Sequence, residues 1–272
     1  MSDPGKPRVA VFKMASCDGC QLQLLDAEEA LLDLAGAIEI ANFAEASSHM
    51  EPGPYDVTLV EGSISAPEHL EQIKEIRAQT KVLITIGACA TSGGIQALRN
   101  VKELGGFVRT VYPTPKFVHS LERSTPIADH VRVDLELTGC PVDREQLLGA
   151  IASLLAGAPP RVSTSPVCLE CKRRGYVCVV VAEGEPCLGP ATRTGCGALC
   201  PGFSRGCYGC FGPSQTPNTG ALGRRFVELG LTPKDAADRF RFITGWAPPF
   251  REAADALAAE NPPRNEREVT GR

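Results

Sequence analysis

At 272 residues with 43% apolar content, the chain is long enough to bury a sizeable core and to hold two domains. Its formal net charge of −4, with Lys and Arg scattered and no sustained basic face, argues against a nucleic-acid partner and implies little beyond solubility. No stretch reaches the roughly eighteen apolar residues of a membrane span, and the opening MSDPGKPR has neither an apolar export segment nor a twin arginine, so a cytoplasmic setting is expected.

In chain order, VAVF (9–12) reads as a short first strand, followed by the loop CDGC (17–20). A helix is predicted through QLQLLDAEEALLDLA (21–35), where Leu24, Leu25, Leu31, Leu32 and Ala35 favour one face. IEIANF (38–43) and DVTLVEG (56–62) read as strands, and Pro67 can open a helix through EHLEQIKEIRA. KVLITIGACA (81–90) has the two-sided apolar character of a buried central strand that breaks at Gly87. VRVDLELTGCP (131–141) alternates and stops at Gly139, and REQLLGAIASLLAG (144–157) is a closing helix. This alternation is that of βαβ units. Ala158, Pro159 and Pro160 then mark a linker.

From Val167 to Pro213 the character changes to many Gly and Pro and eight Cys, with only VCVVVA (177–182) resembling a strand. Such a segment has too little apolar surface to order itself, which points to bound metal. LTPKDAADRFRFITGW (231–246) starts like a helix, with Thr232 at the N-cap and Pro233 at the first helical position. The tail 261–272 is expected to fray.

The twelve Cys stand beside only four His (His49, His69, His119, His130), none at ligand-like spacing from a Cys. Mixed Cys/His zinc sites are therefore disfavoured, disulfides are not expected in a reducing cytosol, and the thiols divide into three sets of four. In an open parallel sheet, ligands bind beyond the carboxyl ends of the strands where strand order reverses. Cys17 and Cys20 follow VAVF, Cys89 follows VLITIG, Cys140 follows VRVDLELTG, and Glu61 ends VTLVEG, so all five would meet on one rim.

One pair joined by two distant single cysteines favours an iron–sulfur cluster over zinc, which usually takes two C-x2-C pairs close in sequence. Gly87, Gly93, Gly94 and Gly139 would let the backbone approach an inorganic core. The plain alternative makes Cys89 and Cys140 small buried hydrophobes. Cys168, Cys171, Cys178, Cys187, Cys196, Cys200, Cys207 and Cys210, with C-x2-C at both ends, can fill two four-iron sites, with two zinc sites as the rival reading.

These motifs resemble the small subunit of [NiFe] hydrogenases over nearly the whole length. CDGCQ (17–21) is similar to that family's C-x-G-C, VEGSI (60–64) to its V-E-G strand end, GACATSGG (87–94) to its G-x-C-A-x-x-G-G loop and TGCPVD (138–143) to its G-C-P. The resemblance implies a proximal cluster on Cys17, Cys20, Cys89 and Cys140. CLGPATRTGC (187–196) is similar to the segment that ends the distal ligands and begins the medial ones. It implies a distal cluster on Cys168, Cys171, Cys178 and Cys187 and a medial one on Cys196, Cys200, Cys207 and Cys210. An exchange of the last ligand between two clusters, as in two-cluster ferredoxins, is the competing partition.

The departures narrow the resemblance. Cys168 stands where membrane-bound uptake enzymes of this family have His, and Cys200 where they have Pro, so four irons are implied at each site. Gly19 is not Cys, so the extra-thiolate proximal cluster of oxygen-tolerant members is not expected. The small iron–sulfur subunit of respiratory complex I shares the proximal region but carries one cluster, and residues 168–210 argue against it.

The resulting expectation is an α/β chain. A flavodoxin-like doubly wound parallel sheet (1–158) carries the proximal [4Fe-4S] cluster, and a mostly irregular domain with short helices (161–260) carries the other two. The resemblance implies a cytosolic electron-transfer subunit with no catalytic residue of its own. Its implied partners are a Ni–Fe large subunit covering the face around Cys17–Gln21 and Cys89–Gly94, and flavin-bearing NAD(P)-reducing subunits. Glu61 reads as a hydrogen-bonded structural group ahead of a proton carrier. Arg173 and Arg174 read as a solvated pair, and Tyr112, Tyr176, Tyr208 and Trp246 as packing residues. GALGRR (220–225) is a weak glycine-loop echo, so direct nucleotide binding is not expected.

Overall fold

The β-prone apolar runs of the first half assemble into one sheet in the computed structural model, which describes residues 5–260. The predicted fraying of 261–272 lies outside the described residues. The elements run β1 (Arg8–Lys13), α1 (Gly19–Leu25), α2 (Glu29–Ala37), β2 (Glu39–Phe43), β3 (Tyr55–Glu61), α3 (Pro67–Ala78), β4 (Thr80–Ile86), α4 (Gly87–Ser92), a 3-10 turn (Ile95–Val101) and α5 (Leu104–Val111). They continue with β5 (Leu135–Leu137), α6 (Arg144–Leu155), α7 (Cys168–Arg173), α8 (Val179–Ala182), α9 (Leu199–Gly202), α10 (Thr219–Glu228), α11 (Pro233–Phe240) and α12 (Pro248–Ala259).

All strand pairs are parallel, in the order β2-β1-β3-β4-β5. This is the flavodoxin-like doubly wound arrangement, and its order reverses between β1 and β3. Side chains of the central strands alternate between two cores because successive Cβ atoms point to opposite faces. Leu59 and Ile84 pack with Leu24 of α1 and Leu147 and Ile151 of α6, whereas Val60 and Leu83 pack with Ile73 and Ile76 of α3. The helix starts follow from ordinary caps: Pro67 opens α3, and the Asp143 carboxylate accepts the Gln146 N–H at 2.9 Å to open α6.

The second half is built on a separate core. Phe226 of α10, Phe240 of α11 and Phe250 of α12 pack in tilted and edge-on contacts, with ring centroids 5.7 and 5.8 Å apart. Val167, Val179 and Leu188 from the cysteine-rich loops are buried in that same cluster. Thr232 caps α11 as expected, its Oγ1 accepting the Asp235 N–H at 3.1 Å. Phe211 joins the two halves, since side chains added at Gly139 and at Gly195 would both strike its ring.

Several predicted elements are corrected. VCVVVA is no strand: Val177 and Val181 are 69% and 83% exposed with no neighbouring strand, and the Cys178 carbonyl accepts the Val181 and Ala182 N–H groups to wind a single turn, α8. The helix through 21–35 breaks at Glu28 (φ 45°) into α1 and α2, with the Asp26 carbonyl held by Arg144 at 2.9 Å. The strand within 81–90 breaks at Gly87 as expected, but the GACATS that follows is helical; the strand at 131–141 shrinks to Leu135–Leu137; and the helix at 231–246 ends at Phe240. GALGRR lies within α10.

Candidate metal centres

The sheet delivers four thiols and one carboxylate to the crevice beyond β1 and β3. Glu61 ends β3 and is only 1% exposed. Its carboxylate accepts the backbone N–H groups of Cys20 (3.2 Å) and Gln21 (3.3 Å) and the Gln21 side-chain N–H (3.0 Å). It thus caps α1 from across the sheet, where Asp18 makes no side-chain cap of its own. Burial pushes the Glu61 carboxyl up, with those three donors acting against it. The structural reading of Glu61 holds.

The loop after β4 and the loop after β5 are tied together by Ala88 N–H to the Gly139 carbonyl at 2.6 Å, and Val142 N–H donates to Cys20 Sγ at 3.4 Å. Cys17, Cys20, Cys89 and Cys140 are thereby neighbours. Burial pushes the Cys20 thiol up strongly, and Glu61, Cys89 and Cys140 add to it. Burial likewise raises Cys89 to about 11, with Cys140 and Cys17 contributing, and it raises Cys140, to which Cys17 adds.

The later thiols gather in two further neighbourhoods, with Cys207 between them beside Cys187 and Cys210. Burial pushes Cys168 up to about 11, and Cys187, Cys171 and Cys178 add to it. Burial raises Cys171 too, with Cys187 and Cys178 beside it. In the other neighbourhood, burial pushes Cys210 up to about 12, with Cys196, Cys140 and Cys200 adding, and burial raises Cys200 next to Cys196. Two features link the neighbourhoods. Cys140 lines the same cleft as Cys196, Cys200, Cys207 and Cys210, and Cys207 N–H donates to Cys187 Sγ at 3.2 Å.

This donor set fits iron–sulfur ligation. The thiols that burial raises most, Cys20 and Cys89 after the strands and Cys168, Cys207 and Cys210 further on, ionise readily only where a cationic core compensates the charge. N–H donors already face sulfurs at Cys20, Cys187 (from Gly189 at 3.4 Å and Cys207) and Cys207 (from Gly209 at 3.4 Å). The backbone also leaves room where a side chain would intrude: a Cβ at Gly87 would collide with Cys20 Sγ, one at Gly94 would lie 2.6 Å from Cys89 Sγ, and one at Gly189 3.2 Å from Cys187 Sγ. Among the described residues no three His, Cys, Asp or Glu converge on a single-ion position.

Two polar residues that hold these loops escaped the sequence reading. Glu170, between Cys168 and Cys171, accepts the N–H groups of Gly195 (2.9 Å) and Ala198 (3.2 Å) on either side of Cys196. Gln96, two residues past Gly94, donates to the Ala15 carbonyl at 2.9 Å. An acid inside a C-x-E-C spacing was the only available signal for the first. Arg173 and Arg174 are exposed and enter no ion pair among the described residues. Trp246 packs beneath Arg251 and Arg123, at 4.6 and 5.8 Å from its ring centroid.

Comparison with known proteins matches this geometry. The protein-family profile described as NADH ubiquinone oxidoreductase, 20 Kd subunit, fits residues 17–154. The chain is 37% identical over 240 residues to the sulfhydrogenase 2 subunit delta of Pyrococcus furiosus, an alignment covering 88% of this chain and all of that one. A NAD+-reducing [NiFe]-hydrogenase solved in its H2-reduced state superimposes with a TM-score of 0.54 at 29% identity, covering 57% of this chain and 94% of that one. The actinobacterial-type NiFe-hydrogenase from Ralstonia eutropha H16 shares the fold over 98% of this chain and 94% of that one, with a TM-score of 0.57 at 15% identity. Among the described residues no helix is long and apolar enough to cross a membrane.

Proposed function

Because the chain belongs to the NADH ubiquinone oxidoreductase, 20 Kd subunit family, and within it to the small subunits of [NiFe] hydrogenases, we propose that it is the electron-relaying subunit of a cytosolic hydrogenase. In this reading three [4Fe-4S] clusters connect the Ni–Fe site of a large subunit with flavin-bearing NAD(P)-reducing subunits. Cys17, Cys20, Cys89 and Cys140 hold the proximal cluster, Cys196, Cys200, Cys207 and Cys210 the medial one, and Cys168, Cys171, Cys178 and Cys187 the distal one. Residues 1–158 and 161–260 form the two domains that carry them.

The observation that carries this reading is the cleft that Cys140 lines together with Cys196, Cys200, Cys207 and Cys210, with the Cys207 N–H donating to Cys187 Sγ at 3.2 Å beyond it. Both support an order proximal, medial, distal, as a relay requires. When bound, the clusters supply one-electron steps. The protein's own part is to hold the thiolates, exclude water and donate N–H groups that stabilise the charge accumulated on sulfur. Leu22 and Ile95, 47% and 52% exposed beside the proximal thiols, support a large subunit covering that face.

The test is anaerobic purification of the native complex followed by H2-dependent reduction of NADP+, NAD+ and ferredoxin, with iron and sulfide counted. About twelve irons per small subunit are expected from three four-iron sites. The reading fails if no acceptor, natural or dye, is reduced by H2. Zinc in place of iron and sulfide would instead select a metal-stabilised interaction module.

A further inference from the structure

Cations without acids and apolar side chains without cover meet in one cleft between the two halves of the chain. One wall is the 3-10 turn Ile95–Val101, which follows the Cys89 loop. Three residues make one turn of a 3-10 helix, so Ile95, Leu98 and Val101 fall in a single row, and all three are exposed. The row starts at the proximal face, since Ile95 directly follows Gly94, whose absent Cβ would lie 2.6 Å from Cys89 Sγ. Leu98 and Val101 carry it into the cleft. The opposite wall is the link 241–247 between α11 and α12, together with the first turns of α12. There Phe242 is also exposed, and it lines the cleft of Cys140 and Cys210 as well. An apolar strip thus runs from the proximal thiols to the second half.

The charge in this cleft is unbalanced. Asp255 is the one carboxylate lining it among the described residues, and Arg241 takes that carboxylate at 2.9 Å. Arg251 and Arg123, at 4.6 and 5.8 Å from the Trp246 ring centroid, pair with no carboxylate among the described residues. Stacking on an indole fixes a guanidinium and leaves its fork of N–H donors free for a carboxylate. At about 270 Å³ the cleft is smaller than the roughly 300–1,000 Å³ of pockets that enclose a whole small-molecule ligand. It suits a few side chains of a segment laid across it, and Trp and Arg ringed by apolar neighbours are the usual anchors of such a contact.

We propose that this cleft is a docking point for the large subunit and receives an acidic segment of that chain, with carboxylates on Arg251 and Arg123 and apolar side chains against Leu98, Val101 and Phe242. The proposal rests on the relay reading above, and it extends the covered face from the proximal thiols onto α12. The seat touches both halves of this chain, so docking there also fixes the spacing of the proximal and medial thiol sets.

For the experiment, the native complex is purified without air from cells fed photo-leucine, a near-isosteric photoreactive leucine that enters at Leu98, then irradiated and read by mass spectrometry. The expected product joins the Leu98 peptide to an Asp- or Glu-bearing peptide of the large subunit. Attachment to a large-subunit peptide without acids, to another subunit, to residues 261–272 of this chain, or to nothing beyond this chain's own neighbouring residues overturns the proposal. In parallel, Arg251→Glu and Arg251→Lys are compared with wild type for the rate at which the large subunit is released on dilution. Charge reversal should speed release about tenfold at low salt and flatten its salt dependence. Lysine, which keeps the charge but not the fork, should fall between. Equal rates and equal salt slopes in all three proteins overturn the proposal. Should Arg251→Glu fail to assemble, the photo-leucine product of the otherwise unaltered protein decides alone. A wild-type complex without a nickel-bearing large subunit overturns the relay reading itself, which is a different result from a misplaced crosslink.

Discussion

Position 87 shows how little room the proximal thiols leave. Gly87 has φ +85°, a left-handed conformation that costs an L-residue about 1–2 kcal/mol, and its absent Cβ is the space that Cys20 Sγ occupies. Gly87→Ala should therefore displace Cys20 and remove about four irons per chain, leaving the two C-terminal sites loaded. Gly212 is the internal control. It has φ +72° but nothing within 4 Å of an added Cβ, so Gly212→Ala should keep all the iron and lose only about 1 kcal/mol of stability. Iron and sulfide analysis with EPR of each variant reads the difference, and a fully loaded Gly87→Ala protein would contradict the crowding argument. At this scale the cysteines and the glycines beside them were readable because thiols and missing side chains carry their chemistry in their identity. Glu170 and Gln96 were not. A carboxylate or carboxamide becomes informative only once the chain has folded its acceptor and donor groups around it.

Among the elements, the strands that hold the rim depend on one carboxylate outside any of them. Asp134, just before β5, accepts the Leu83 N–H of β4 at 2.9 Å and Arg77 of α3 at 2.6 Å. Burial alone would push this carboxyl up, but the Leu83 N–H and Arg77 together outweigh it and hold Asp134 below its ordinary 3.8. A carboxyl whose pKa is lower folded than unfolded contributes stability above the unfolded value and loses it as pH falls through the folded one. Asp134→Asn should then destabilise the protein by about 1–2 kcal/mol at pH 7, because hydrogen bonds to charged groups are the stronger kind. The deficit should be unchanged at pH 5, since the titration lies below 3.8. Thermal unfolding under argon at both pH values checks this, and a deficit that fades by pH 5 would refute it. The same elements show where periodicity misleads. Four residues of VCVVVA are β-branched or β-prone, yet with no strand alongside to complete a ladder the run winds a turn beneath the Cys178 carbonyl. Of the apolar face expected for one long helix over 21–35, Leu24 is buried and Leu25 packs against the sheet core, but Leu32 is 73% exposed, because the chain bends between them. The bend comes from a tertiary demand: α1 must start under Glu61 while α2 returns to the sheet edge at β2.

For the whole molecule, the parallel sheet and the meeting of Cys17, Cys20, Cys89 and Cys140 on its rim were legible because strand order dictates which loops share an edge. The core of the second half was not, since its phenylalanines are spread over three short helices and two of those helices, α10 and α12, were not foreseen in the sequence. That core qualifies the expectation that metal alone orders residues 167–213. Val167, Val179 and Leu188 dock into it, but the remainder of the segment is short helices, Gly-rich turns and cysteines of which only Cys187 and Cys207 are buried. Burying thiols that repel one another's ionisation offers little stability without a cationic core to hold them, whereas β1, β3 and β4 have two apolar cores of their own. Anaerobic removal of iron with a chelator should therefore split the chain's behaviour. Backbone amides between 168 and 210 should exchange with solvent at near-unfolded rates, those of α10–α12 should weaken through loss of their docked loops, and those of β1, β3 and β4 should keep their protection. Hydrogen exchange read by mass spectrometry distinguishes the three zones. Full protection of 168–210 in the iron-free chain would mean that the Phe226, Phe240 and Phe250 core orders the loops unaided, and the thiols would then be passengers of the fold instead of its staples.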